Sequence, residues 1–339
     1  MIIASDLGAP GLDFQTWDSE LPERTKLGGS HNLIKLGCPR PLALGTGERK
    51  STSTPNRGGN RVVPRPIRYP DSAMPSPDDF RGKWALVTGA SAGIGAAIAH
   101  QLASHGANLI LTARRRERIE SLAAHLAAEF KTETRIVAAD LNSPNAPQQI
   151  YDATEGAGLT VDILINNAGL GHYGEFYKID PEQEYSMVRV NCEAVVRLSR
   201  LFIPRMVERR RGWMLVVAST ASFQPIPYDA VYAATKVFDR FFALALAEEV
   251  ERFGIKITAL CPGTTETEFF DVSGGGGVFR RFGGMQSSDE VARKAILALA
   301  RGQRTIVPKF KAALVAFLVR FVPTRRITRT LERALRPKD

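Results

Sequence analysis

Between Trp84 and Pro308 the chain alternates short apolar, β-rich runs with longer helix-forming stretches, and that alternation leaves few folds open. The runs are Trp84 to Gly89, Asn108 to Thr112, Arg135 to Ala139, Val161 to Ile165, Trp213 to Ala218, Lys256 to Cys261 and Thr305 to Pro308. Helical patterns separate them at Ala96 to Ala107, Arg114 to Phe130, Pro181 to Arg210, Ala230 to Phe253 and Asp289 to Arg301. The last follows a capping pattern, Ser287 to Glu290. Apolar runs without polar alternation are strands buried on both faces, and strands joined through helices require right-handed parallel crossovers. The expected fold class is therefore α/β, a doubly wound parallel sheet in one domain over residues 74–308.

In such sheets ligands bind beyond the carboxyl ends of the strands, and the chemistry-bearing residues fall there. TGASAGIG (Thr88 to Gly95) joins the first strand to the first helix. Glycines at 89, 93 and 95 permit a tight turn, close approach of backbone N–H groups to a pyrophosphate, and close helix-to-strand packing, with the helix dipole facing the anion. Ser219 ends the run WMLVVAS, so its hydroxyl is delivered to the same edge. Tyr232 and Lys236 in YAATK lie one helical turn apart on one face. A cation about 4 Å from a phenol, at an effective dielectric of about 20, favours the phenolate by roughly 4 kcal/mol. Tyr232 is thus expected to exchange a proton near neutral pH, with Lys236 lowering its pKa.

These residues, together with NNAG (Asn166 to Gly169), Asn191 in the following helix, and the Pro262–Gly263 pair after the sixth strand, resemble the classical short-chain dehydrogenase/reductase family from about Asp78 to Pro308. The resemblance implies a Rossmann-type fold, a nicotinamide cofactor and interconversion of a ketone or aldehyde with an alcohol. It implies Tyr232 as acid/base, Ser219 polarising the substrate oxygen, Lys236 holding the nicotinamide ribose, and Asn191 positioning a water for a proton relay. It also places cofactor contacts at Gly89, Ser91, Gly93, Ile94 and Gly95, at Asp140 and Leu141, at Asn167, Ala168 and Gly169, at Tyr232 and Lys236, and at Pro262, Gly263 and Thr267. Asp140 reads equally as a turn residue before Asn142 and Pro144.

The end of the second strand selects the cofactor. A carboxylate there takes the ribose hydroxyls of NAD, whereas a guanidinium accommodates a 2′-phosphate. Here Ala113 is followed by Arg114, Arg115 and Arg116, with Glu117 the first acid. NADP(H) is expected rather than NAD(H), with Arg114 on the phosphate. Residues 264–286 hold Phe269, Phe270, Phe279, Phe282 and the run Gly274 to Gly277, and read either as a lid over an apolar substrate or as a loop with incidental aromatics. The small apolar carbonyl or alcohol partner follows from the lid reading. The alternative function is a non-catalytic nucleotide-binding or membrane-associated scaffold, against which the intact Ser219, Tyr232 and Lys236 set argues.

Residues 1–73 show no sustained apolar period and read as a disordered extension, without the apolar stretch of a secretory signal. Of the net charge of +10, residues 301–339 supply +9, with 11 basic against 2 acidic residues. Basic surface confined to one end, with no nucleic-acid motif, excludes nucleic acid as a partner. Cys38, Cys192 and Cys261 are odd in number and widely spaced, implying reduced thiols in the cytoplasm, and His100, His105 and His172 have no metal-ligand spacing. In residues 309–339, Leu314, Phe317, Leu318 and Phe321, then Ile327, Leu331 and Leu335 beyond Pro323, keep helical spacing amid arginines. This basic amphipathic segment reads as an anchor on an anionic membrane surface or as a helix packed on its own domain or on a second copy in a homo-oligomer.

Overall fold

The computed structural model describes residues 76–269, 273–275 and 285–337. Residues 1–75, Cys38 among them, and Phe270, Gly276, Gly277, Phe279 and Phe282 of the expected lid or loop lie outside the described residues. Seven strands form one sheet: β1 (Trp84–Thr88), β2 (Asn108–Thr112), β3 (Thr134–Ile136), β4 (Ile163–Asn166), β5 (Gly212–Val217), β6 (Ile255–Leu260) and β7 (Thr305–Ile306). Their order is β3-β2-β1-β4-β5-β6-β7, every pair parallel. The chain winds outward from β1 in one direction, then restarts at β4 in the other. The seam between β1 and β4 is the switch point where a crevice opens.

The helices are α1 (Gly93–Ser104), α2 (Arg116–Phe130), α3 (Ala146–Asp152), α4 (Pro181–Val188), α5 (Ala194–Arg209), α6 (Ala230–Val250), α7 (Ser288–Arg301), α8 (Phe310–Leu318) and α9 (Thr324–Leu335). Side chains of successive strand residues go to opposite faces. Ala85 and Val87 of β1 with Leu109 and Leu111 of β2 join α1, α2 and α7 in one core, while Leu86 and Ile110 join α3, α5 and α6 in the other. Each fully buried Leu or Ile contributes about 1.5–3 kcal/mol. The sheet is held from both sides, which is why its strands read as continuous apolar runs.

Several boundaries differ from the expected ones for local reasons. α2 begins at Arg116, with Arg115 as its cap, so Arg114 lies outside the helix. β3 ends at Ile136, although the Val137 and Ala139 amides still donate to Leu111 and Ala113 carbonyls at 3.1 and 3.2 Å. α3 has no expected counterpart; Pro147 occupies its first turn, where the missing N–H costs nothing. The single long helix expected over residues 181–210 is interrupted by a π-helical turn, Arg189–Glu193, that carries Asn191. The cap before α7 forms as expected, Ser287 Oγ accepting from the Asp289 amide at 3.2 Å, but Glu290 pairs with Lys294 at 2.6 Å rather than closing a box.

Candidate active site

β1 ends at Thr88, and the chain turns back over the sheet through Gly89, whose φ of +65° is left-handed. Thr88 Oγ1 donates to the Ile165 carbonyl at 3.0 Å and accepts the Asn167 and Ala168 amides at 3.0 and 3.1 Å, pinning the turn across the β1–β4 seam. Asn167 Nδ2 donates to the Thr88 carbonyl at 2.8 Å. A Cβ on Gly95 would collide with the Gly89 carbonyl and the Asn167 amide, so only glycine lets α1 close on the turn. The N-cap of α1 is Ala92, which supplies no side-chain oxygen. The first-turn N–H groups thus face the cavity with the positive end of the helix dipole, a cradle suited to a diphosphate.

That cavity has a volume of about 740 Å³ and runs over the carboxyl edge of the sheet. Gly89, Ser91, Gly93, Ile94, Gly95, Arg114, Asp140, Leu141, Asn167, Ala168, Gly169, Ser219, Tyr232, Lys236, Pro262, Gly263 and Thr267 all line it. Asn191 does not. Its amide is committed behind the cavity, donating to the Leu170 carbonyl and Thr235 Oγ1 at 2.9 Å and accepting the Leu170 amide at 2.8 Å. It braces the loop after β4 against α6. Asp140 lines the cavity and also forms the turn, its Oδ1 accepting the Asn142 amide at 3.0 Å.

Ser219 caps the short 3₁₀ helix Thr220–Phe223, its Oγ accepting the Ala221 amide at 3.1 Å. Lys236 is buried, and its ammonium lies 5.8 Å from the Tyr232 ring centre. It donates to the Val217 carbonyl at 2.8 Å and to Asp239 Oδ2 at 2.9 Å. Asp239 is 1% exposed and went unnoticed in the sequence, where an acid three residues after a lysine looks like an ordinary surface pair. Burial raises the Asp239 carboxyl to about 6, with Lys236 pulling it back. Burial pulls the Lys236 ammonium down, but Asp239 and then Tyr232 more than offset this and its pKa lies above the ordinary value.

The expected lowering of the Tyr232 pKa is not the net result. Desolvation in the pocket raises it, and this outweighs the lowering by Lys236 and by hydrogen bonding to Ser219; the Asp229 and Asp239 carboxyls add to the rise. The 4 Å, half-solvated geometry assumed from the helical spacing omits both the burial and Asp239. Asp229, on the cavity wall, is itself pushed well above the carboxylate range by burial and by Glu184. The Tyr232 phenol is thereby held in its protonated form.

Arg114 faces the cavity and makes no hydrogen bond or ion pair among the described residues, whereas Arg115 is held by Glu268 at 2.9 Å and by Ser91 Oγ at 3.0 Å. Arg118 also reaches Glu268, at 2.6 Å. The segment from Thr264 is zipped at its base, where Gln286 donates to the Thr264 carbonyl and accepts the Glu266 amide at 2.9 and 2.8 Å. Its Phe269 ring lies 5.5 Å from that of Tyr232. The far wall was not foreseen: Ala312, Val315 and Ala316 of α8 and Leu331 and Leu335 of α9 line the cavity. α9 is fastened there by the Tyr228 hydroxyl, which donates to Glu332 Oε1 at 2.8 Å, and by the Tyr173 hydroxyl, which donates to the Leu335 carbonyl. Among the described residues no cluster of His, Cys, Asp and Glu could hold a metal ion.

The family model described as short chain dehydrogenase matches residues 83–274. A very-long-chain 3-oxoacyl-CoA reductase of Homo sapiens is 35% identical over 187 residues, covering 53% of this chain and 59% of that protein. The Danio rerio reductase B is 36% identical over the same lengths. The match therefore spans 59% of the length of these curated relatives. Among solved structures, a short-chain dehydrogenase from Sphingobium yanoikuyae in complex with NADPH superposes with a TM-score of 0.65 at 29% identity, covering 70% of this chain and 92% of that one. L-sorbose reductase from Gluconobacter frateurii, complexed with NADPH and L-sorbose, gives 0.61 at 27%, covering 67% and 95%.

Proposed function

Because the chain belongs to the short-chain dehydrogenase family, we propose that it is an NADP(H)-dependent oxidoreductase that interconverts an apolar ketone or aldehyde with its alcohol. The observation that carries this reading is the convergence of Ser219, Tyr232 and Lys236 in one cavity with the glycine cradle and Arg114. The residues present fit the cofactor: α1 and its turn would hold the diphosphate, Arg114 the 2′-phosphate, and Lys236 the nicotinamide ribose. NADPH-bound relatives support the same choice. Bound there, the reduced nicotinamide supplies a hydride for the carbonyl carbon.

The protein's own contribution is to place and protonate the oxygen. Ser219 donates a hydrogen bond to the carbonyl, and Tyr232 gives up its phenolic proton as the oxygen gains charge. A raised Tyr232 pKa keeps that proton available at neutral pH. The Lys236 ammonium, held by Asp239, stabilises the phenolate left behind. Phe269, Ile226, Val315, Leu331 and Leu335 give the wall an apolar character suited to a long acyl or other lipid-like carbonyl. A 3-oxoacyl thioester is the first substrate to assay, given the activity named for the curated relatives.

The test is NADPH oxidation by purified protein across ketones, aldehydes and 3-oxoacyl thioesters. Tyr232→Phe should lose at least about a thousandfold in kcat while binding NADPH as the wild type does, the upper part of the range for a lost general acid. Turnover retained by Tyr232→Phe would remove Tyr232 from the reaction. Silence of the wild type across the panel, with NADPH bound, would favour a nucleotide-binding scaffold.

A further inference from the structure

α8 has two apolar faces. Ala312 and Ala316 on one face, with Val315 at the rim, close the cavity. The other is bare: Phe310 is 80% and Phe321 71% exposed, and Leu314, Phe317, Leu318 and Val322 are all at least 42% exposed. Half of the exposed large apolar side chains among the described residues fall in these thirteen positions. Soluble surfaces rarely leave so continuous an apolar patch without a use for it.

The charge around the patch indicates what covers it. Residues 309–337 hold Lys309, Lys311, Arg320, Arg325, Arg326, Arg329, Arg333 and Arg336 against the single acid Glu332. Arg325, Arg329 and Arg333 stand at i, i+4 and i+8 along α9, all exposed. Arg325 lies four positions beyond Phe321, so the basic stripe begins within roughly 14 Å of the apolar patch. A second copy pairing through this face would bring two such cationic segments together. An anionic lipid surface offers the opposite charge and an apolar layer beneath it. No helix of the described residues is long and apolar enough to cross a membrane.

We propose that residues 310–336 dock the protein on an anionic membrane surface, the outer face of α8 lying at the boundary between headgroups and acyl chains and the α9 arginines among the headgroups. The segment is not a loose tether. Leu335 is 3% exposed, and the Tyr228–Glu332 and Tyr173–Leu335 contacts fix α9 to the rim of the cavity. Docking therefore sets the cavity wall formed by α8 against lipid, on the path by which an apolar substrate leaves the bilayer. The docking does not rest on the reductase reading, since it is measured without turnover.

Full-length protein is sedimented with vesicles of phosphatidylcholine alone, and of phosphatidylcholine mixed with phosphatidylserine, at low and high salt. Pelleting with the mixed vesicles only, weakened by salt, is expected. Phe317→Glu with Phe321→Glu should weaken vesicle binding at least about tenfold, as should Arg329→Glu with Arg333→Glu, because each loses one of the two attractions such helices use. NADPH binding stays unchanged in both, since these side chains point to solvent. Phe241→Glu, which alters an exposed apolar residue on α6 instead, should leave vesicle binding intact. Equal pelleting with both vesicle types, or undiminished pelleting of the Phe317→Glu, Phe321→Glu variant, would overturn the proposal. So would a wild type that ignores lipid but sediments alone as a dimer that this variant dissociates.

Discussion

At the residue scale, the pair that distinguishes this site is Lys236 and Asp239, both buried and 2.9 Å apart. Replacing Asp239 by Leu strands a buried ammonium, which should destabilise the fold by about 3–5 kcal/mol, read from the urea midpoint. Asp239→Asn keeps an acceptor for Lys236 and should cost less. The carboxyl titrates at about 6, so it is charged above that pH and neutral below it. Wild-type kcat/KM should accordingly fall as pH drops through about 6 and the ion pair is lost. Asp239→Asn, with nothing to protonate, should show a lower but flat profile over that range. A wild-type profile without an acid limb would disconnect Asp239 from turnover. Arg114→Ala should weaken NADPH binding about tenfold or more, as expected for a lost charge-assisted bond, and leave NADH unaffected; fluorescence titration with each cofactor reads the difference. Ser219, Tyr232, Lys236 and Arg114 were legible because strand end, helical turn and strand end each place a side chain by spacing alone. Asp239 was not, because helical spacing gives neighbours but not depth, and only the packing of α6 against β5 and β6 removes that face from water.

At the scale of elements, the segment after β6 and the cradle share residues. Glu268 rises from the segment after β6 and ties down Arg115 and Arg118 beside Arg114, where the 2′-phosphate is proposed to sit. The carboxylate holds Arg115 and Arg118 away from that phosphate and adds a negative charge beside it. Glu268→Gln should therefore tighten NADPH binding about two- to fivefold, the range set by an exposed ion pair, and leave NADH unchanged. Equal tightening for both cofactors would point to a general loosening of this segment. α9 carries the complementary prediction. Loosening it with Tyr228→Phe and Glu332→Gln should raise KM for an apolar substrate while NADPH binding holds, because the helix lines the substrate end of the cavity. The sequence showed α8 and α9 as amphipathic helices but not their address. A stripe at i, i+3, i+4 states that a face is covered without naming the cover: the inner faces line the cavity, and the outer face of α8 is exposed.

For the whole molecule, the described fold gives a test that needs no substrate. The cradle spans the β1–β4 seam, so a cofactor held there binds both halves of the sheet and only in the folded state. NADPH at a hundred times its Kd should add about 2.7 kcal/mol and raise the melting temperature by roughly 5–10 °C. NADH at the same concentration should raise it less, and equal shifts would remove the role given to Arg114. The alternation of runs and helices made the doubly wound order legible, whereas the π-helical turn at Asn191 was hidden because one extra residue in a helix leaves no compositional mark. The seam also has a consequence during synthesis. β1 finds β2 within twenty residues, but its other neighbour begins at Ile163, 75 residues beyond Thr88. At about 5–20 residues added per second, β1 waits roughly 4–15 seconds with one edge unpaired. The strand that will carry the glycine turn thus spends its first moments as an open apolar edge. Soluble yield should depend on how quickly translation delivers β4 and on what shields that edge meanwhile, more than on the stability of the finished sheet.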